Sequence, residues 1–543
     1  MSRPIKIKLY ADDASLFLRD IIDFREVLSR IKLFSIFSGL CLNRNKCSAM
    51  YIGDSSYKGI VKYGIKFHNS VKILGITFSN EKSTCDIRDN FEPRINKLEK
   101  ICSLWERRHL SLIGKITILK TFGISQFIYI MQSIGICSSD LVRINRIMFR
   151  FIWNNKIENQ NKVIERVKRT TVCSRYESGG LEMIDIVKMQ DSFLLNWADS
   201  LLNDKVSAWK DIPYHCFEPV GGTTAFNSNV TGKSFKGIDL INSTFWKRVI
   251  YIWLEYKNKE FKPDYTTIKL SDPIFNNIHI QYRSKPLFIH SCIKRNMIFL
   301  YDFICDGSII SMERFIDRFG KTAETDLAYY LIFNALKRVE DHFAVEANCL
   351  YETAVEFLFK EISVGSISRK GYYELISNNA TKPLSSQWVQ NYRLESDAEA
   401  VWSLPHQCTS EVKLIVLQWK ILHGIYASGY LLEKMNLRPS DSCIFCDGIR
   451  DTLVHFFFQC PTSQDVWREA AKIISSKIGK IIVIREVDVM LGFLDADQFG
   501  YEEMKYINSI GLVGKHTISK FKSEPIGKIL ILFEKELSLR DLS

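Results

Sequence analysis

Four residues near the carboxyl end of this sequence, Cys443, Cys446, His455 and Cys460, are spaced C-x2-C-x8-H-x4-C. Zn²⁺ takes four tetrahedral nitrogen and sulfur ligands, and a cysteine pair separated by two residues can reach one ion from a single tight turn. Asp447-Gly448 supplies turn residues just after that pair, and Pro461 ends the apolar run that carries His455. Four protein ligands leave no open coordination position, so the expected site is structural rather than catalytic. Three thiolates and a neutral imidazole around a dication leave a charge of about −1, which makes Arg438 or Arg450 the expected neighbouring cation. The competing reading is a set of buried thiols and a core histidine; the spacing favours zinc. Phe445, Phe456, Phe457 and Phe458 are expected to pack this small module rather than to stack on bases.

The second constellation is Tyr10-Ala11-Asp12-Asp13. Adjacent carboxylates repel one another unless a cation relieves the repulsion. Mg²⁺ is commonly held by one or two carboxylates together with substrate phosphates, and two such ions about 3.5–4 Å apart drive phosphoryl transfer. Asp pairs are also ordinary turn residues, so the tetrapeptide alone does not decide between the two. No phosphate-binding glycine loop, nucleophile elbow or H-E-x-x-H motif occurs.

The elements that must position these groups follow from the hydrophobic period. Ile5, Ile7 and Leu9 alternate with Lys6 and Lys8, and Leu16 to Leu18 resume the run, so residues 5–18 form a hairpin with the aspartates at its tip. A helix is expected over 21–39, ending at Gly39, followed by short strands at 46–53 and 70–78. Residues 91–154 carry a helical pattern. Leu141, Ile144, Ile147, Met148, Phe151 and Ile152 make one face, centred about 150° from Arg143, Arg146 and Arg150. Residues 177–270 look mixed and loop-rich, 285–375 mostly helical, and the polar stretch at 377–386 a boundary.

The net charge of +12 is concentrated: residues 94–175 hold 16 basic and 5 acidic side chains, whereas 201–543 are balanced. A localised basic field points to a polyanion, nucleic acid before an anionic membrane, with an ordinary solvated face as the bland alternative. Fourteen scattered cysteines without a signal peptide fit reduced thiols and a location in the cytoplasm and nucleus. The charge-free stretch 121–139 contains Thr, Ser and Gln, so no membrane span is expected.

An ordered series of motifs adds a resemblance. Tyr10-Ala11-Asp12-Asp13 is followed by Phe37-Ser38-Gly39-Leu40-Cys41-Leu42-Asn43 with Lys46, and then by Val71-Lys72-Ile73-Leu74-Gly75-Ile76. Trp105, Leu110 to Lys115, Phe151-Ile152-Trp153 and Gly179-Gly180-Leu181 come next. More weakly, Phe245-Trp246 and Tyr301-Asp302 continue the series, and Gln418 to His423 and the Cys/His cluster with Asp451-Thr452 and Trp467 complete it. The series resembles the reverse transcriptase of LINE-type (non-LTR) retrotransposons. It runs from the palm YADD box through the thumb to the zinc-binding segment.

The resemblance implies that Asp12 and Asp13 are Mg²⁺ ligands and that Lys46 lies near the incoming nucleotide. It implies further that RNA and DNA, as template–primer, are gripped by the 94–175 helices through Lys97, Lys100, Arg107, Arg108, Lys115, Arg143, Arg146 and Arg150. It also exposes a departure. The family's polymerase site takes another palm aspartate from a strand upstream of YADD and a fingers subdomain, and this chain begins nine residues before Tyr10. The expectation is a truncated polymerase unable to extend a primer alone; the alternative is a non-enzymatic, zinc-containing nucleic-acid-binding remnant.

The expected fold class is α+β. A partial palm (1–80) precedes a helical basic thumb (81–176), a mainly helical connecting region (177–387) and a carboxyl-terminal region (388–543) with the zinc module at about 440–467.

Overall fold

The computed structural model describes residues 7–11, 13–52, 60–80, 85–153, 164–259, 268–305, 307–342, 357–377, 388, 392, 398–446, 448–494 and 498–542. Asp12 and Asp447, and most of the polar stretch 377–386, lie outside them. The chain divides into two compact units. One comprises residues 1–95, 127–140 and 187–376, the other 96–126, 141–186 and 377–543. The structure is mostly helical with small sheets, none of more than three strands among the described residues. No described helix is long and apolar enough to cross a membrane.

The first unit begins with the antiparallel hairpin β1 (Ile7–Tyr10) and β2 (Asp13–Leu16), in register Tyr10↔Asp13, with Ala11 turning at φ +52°. Helix α1 (Ile21–Ser38) starts where the Asp20 carboxylate accepts from the amides of Ile22 and Asp23, and it stops at Gly39, φ +72°. None of its residues is buried, and Phe37 is 82% exposed. Its Phe24 packs on Tyr63 and Phe67 of the small sheet β3 (Ser48–Met50), β4 (Val61–Lys62) and β5 (Ile65–His68), ordered β3-β5-β4.

The single strand expected at 70–78 is instead a hairpin, β6 (Ser70–Ile73) and β7 (Ile76–Ser79). Leu74 and Gly75 both take positive φ, the geometry of a two-residue turn that matches strand twist. The Tyr129 hydroxyl donates to Leu74 O at 2.5 Å, and the Asn90 amide pairs with both the N–H and the C=O of Thr77 at 2.8 Å.

Residues 177–270 hold more helix than their glycines suggest: Ile186–Leu202 and Thr244–Lys257 flank a run of 3-10 turns. An aromatic core forms there, with Trp197 against Trp209, Phe245 and Trp246, and Trp253 against Phe226 and Phe359. Residues 285–375 are less helical than expected. Beside helices Met312–Phe319, Thr325–Leu336 and Arg369–Ile376 stand three two-residue hairpins, at 281–286, 304–309 and 358–363. Positive φ at Arg283-Ser284, Gly307 and Lys360-Glu361 makes these turns. Short apolar runs do not distinguish such strands from helix by period.

The second unit holds the helical basic segment. The helices are α2 (Cys85–Glu106), whose residues from Asn96 onward belong to it, α3 (Leu112–Ile118) and α4 (Ser125–Ile134), of which it takes only Ser125 and Gln126. To these is added α5 (Ser138–Trp153) from Leu141 on. A wide π turn, Leu119–Ile124, joins α3 to α4. Gly123 in that turn packs closely: a Cβ there would lie 2.9 Å from Leu98 Cδ1, so that side chain would have to shift. All six apolar residues expected on the α5 face are buried, at 7% exposure or less.

Candidate metal centre

The zinc-type residues are brought together. One ligand atom from each of Cys443, Cys446, His455 and Cys460 lies within 4.8 Å of the others, and all four residues are buried. The first pair sits in a knuckle that is closed at its base by pairing of Ser442 with Arg450 and by Cys443 N–H donating to Ile449 O at 2.7 Å. Within it the Phe445 N–H points at Cys443 Sγ at 3.4 Å, and Gly448 takes φ +71°. His455 begins a π turn, His455–Gln459, in which Cys460 N–H donates to His455 O. The extra residue in that turn returns Cys460 to the histidine's side before Pro461 opens the Pro461–Ile478 helix.

The donors fit zinc. Cys446 Sγ and Cys460 Sγ are 3.7 Å apart; sulfurs at about 2.3 Å from a tetrahedral ion would be about 3.8 Å apart, whereas a disulfide needs about 2.05 Å. His455 Nε2 is buried without a hydrogen-bond partner, as a nitrogen reserved for a metal would be. Burial, with the Lys522 ammonium second, lowers the His455 pKa and favours the neutral ligand form. Burial also pushes the Cys446 thiol up to about 12. Burial raises Cys460 as well, yet Lys522, hydrogen bonds from its cysteine neighbours and the Thr462 amide hold it below the ordinary value. In such a site the ion supplies the positive charge that displaces the thiol protons.

The surroundings are partly those expected. Asp451 Oδ2 accepts from Gly429 N–H at 2.9 Å, Thr452 Oγ1 from His455 N–H at 3.1 Å, and Trp467 Nε1 donates to Phe457 O at 2.6 Å. The cation differs. Arg438 is directed to Ser442 O and Asp451, and Arg450 to Asp441. The ammonium at the module is Lys522, 5% exposed, 3.0 Å from Phe456 O and 3.9 Å from the Phe456 ring centroid. Its distance along the chain hid it from any spacing rule. Phe457 is fully buried and Phe456 packs on Tyr426, whereas Phe445 is 37% exposed.

Two further motifs of the series also meet. Gly179 O accepts from Trp419 Nε1 at 3.0 Å and from His423 Nε2 at 2.9 Å, so His423 carries its proton on Nε2. Trp402 covers Gly179, where a Cβ would lie 2.8 Å from the indole, and a Cβ on Gly180 would lie 1.9 Å from Ser174 O. The Gly-Gly pair is thus required by close approach.

The basic residues separate into two groups. Lys97, Lys100, Arg107, Arg108 and Arg146 are exposed, and Arg150 is half-buried. Arg108 stacks on Trp105 at 4.8 Å. Arg143 reaches Glu99 at 3.5 Å and Asn96 at 3.4 Å, tying α5 to the α2 face that carries Lys100. Lys115 is corrected by the structure. It is 4% exposed and its Nζ donates to Phe151 O and Ile152 O at 2.9 and 3.1 Å, so it closes the end of α5 from inside. At the amino end, Asp13 and Lys46 are exposed, Lys46 in the short turn Arg44–Lys46, and Asp12 lies outside the described residues. Among the described residues the Cys/His quartet is the metal-type cluster.

Comparison with known proteins bears on this same region. The family described as zinc-binding in reverse transcriptase matches residues 376–467. A protein of Arabidopsis thaliana, named as a candidate ribonuclease H, is 26% identical over 122 residues. That similarity covers 22% of this chain and 19% of the relative, so the chain spans about a fifth of the relative's length. Residues 376–467 are a reverse-transcriptase-associated zinc-binding region, and they carry a Cys3His cluster suited to structural zinc.

Proposed function

We infer that this chain is a carboxyl-terminal portion of a LINE-type (non-LTR) reverse transcriptase, in which a helical thumb grips the template–primer and a zinc module braces the end. The observation that carries this is the buried Cys3His quartet inside the segment matching a reverse-transcriptase zinc-binding family. Supporting it, Lys97, Lys100, Arg107, Arg108, Arg143, Arg146 and Arg150 all fall in the second unit, on the segment with the sequence's concentrated positive charge. The relative's name, a ribonuclease, points to the same ligand class, RNA. Phosphate contacts of this kind give salt-dependent affinity with little sequence preference.

The test is titration of a labelled single-stranded RNA with the full chain at several salt concentrations. Replacing Arg143, Arg146 and Arg150 together with alanine is expected to weaken binding and to flatten the log–log salt slope by about 0.7–0.9 for each phosphate no longer neutralised. An unchanged slope would make the stripe an ordinary solvated face.

In this reading Asp12 and Asp13 are Mg²⁺ ligands once a complete palm surrounds them, and Lys46 offsets nucleotide phosphate charge. A second reading, a non-enzymatic zinc-containing nucleic-acid-binding protein, is favoured by one observation. The hairpin β1–β2 forms its own two-stranded sheet and exposes Leu9 and Tyr10 at 69% each. Primer extension separates the two.

A further inference from the structure

Lys522 lies outside the 376–467 segment that matches the zinc-binding family, yet it lies against the two turns that carry the ligand set. Its Nζ donates to Phe456 O, in the π turn between His455 and Cys460. The same ammonium is 5.7 Å from the ring of Phe445, in the knuckle between Cys443 and Cys446. It is buried, and the hydrogen bond it makes among the described residues is to a carbonyl rather than to a carboxylate. A buried, unpaired ammonium is costly unless a local negative charge offsets it. A Cys3His site holding Zn²⁺ supplies a charge of about −1 at this place.

Lys522 also ends the Tyr501–Phe521 helix. That helix is seated on the module elsewhere: the Tyr426 hydroxyl, whose ring packs on Phe456 and Phe457, donates to Ser519 Oγ at 2.9 Å. Gly514 approaches Trp467 so closely that a Cβ would lie 2.8 Å from its ring. The helix therefore meets the module through a charge, a hydroxyl pair and a tight backbone–indole contact.

We propose that Lys522 is a positioning residue and counter-charge for the zinc centre, so that metal binding and docking of the Tyr501–Phe521 helix are one thermodynamic event. This rests on the zinc reading of the quartet. Outer partners of a metal site commonly change affinity by about 10–100-fold. Loss of the ammonium is expected to act in that range, and a guanidinium should replace most of it.

The experiment uses the full chain, loaded with zinc under reducing conditions and titrated with a chromophoric chelator. Lys522→Met, which keeps the stem and removes the charge, is expected to weaken zinc binding by about tenfold or more. Lys522→Arg should stay within about threefold of wild type, because it retains the cation. In parallel, chelating zinc from the wild-type chain should speed amide exchange in residues 501–521 as well as in the ligand turns.

If wild type binds zinc and Lys522→Met binds it equally well, the counter-charge is overturned. If Lys522→Arg loses as much as Lys522→Met, packing rather than charge is responsible, and the proposal fails. The exchange measurement needs no variant, so poor folding of Lys522→Met cannot shield the coupling; unchanged exchange at 501–521 on chelation overturns it. A wild-type chain that binds no zinc overturns the zinc reading itself, and this inference with it.

Discussion

At the scale of single residues, the Cys3His quartet makes the sharpest prediction. His455 offers a buried Nε2 that nothing else satisfies, whereas Cys408 is a buried thiol outside the cluster, pushed up to about 11 by burial. His455→Ala is expected to abolish stoichiometric zinc in the reduced protein, and Cys408→Ala to retain it. Metal analysis of both variants decides the ligand set; full zinc content in His455→Ala would show it to be wrong. The quartet was legible because ligand spacing is a local property of the chain. Lys522 was not, because its role depends on where a remote helix ends. A second residue-scale prediction concerns Gly179, which has φ +79° and lies beneath Trp402. Gly179→Ala forces a Cβ into the indole at an unfavourable φ and is expected to cost about 1–3 kcal/mol, read as a lower denaturation midpoint.

At the scale of elements, several lysines that look in the sequence like surface charge instead close the ends of helices from inside. Lys115 donates to the last carbonyls of α5, Lys515 to Val489 O near the end of Glu486–Leu491, and Lys257 to Phe226 O. An ammonium there meets the negative end of the helix dipole. Burial lowers Lys115 and Lys257 to about 8 and Lys515 to about 7. The unfolded chain holds the same protons to about pH 10.4. Between about pH 7 and 8.5 the unfolded state therefore binds more protons than the folded one, and stability is expected to rise with pH. Above that window buried Cys102 and Cys292, pushed up to about 12 by burial, oppose the rise, because the unfolded chain loses those thiol protons first. Denaturant midpoints measured across about pH 7–8.5 should climb, and Lys515→Met should flatten the climb. A midpoint falling across that window would contradict the assignment.

For the whole molecule, the prediction concerns activity. Two-metal phosphoryl transfer holds its ions from more than one side, and the hairpin presenting Asp13 has no third strand among the described residues. The chain of 543 residues is expected to show no primer extension on an RNA template; robust extension that Asp12→Ala abolishes would refute this. Spacing, period and turn chemistry act within a few residues, and for that reason the zinc ligands, the β1–β2 hairpin, the end of α1 at Gly39 and the buried face of α5 were all legible in the sequence. The balance of helix and hairpin at 285–375 was not, because backbone turns with positive φ override weak periodicity there. Tertiary packing chose which distant groups become partners. Trp419 reaches Gly179 from 240 residues away, Lys115 turns inward, and Lys522 settles on the zinc turn. Such choices depend on which buried donor finds an unsatisfied carbonyl, and that pairing exists only once the chain is packed.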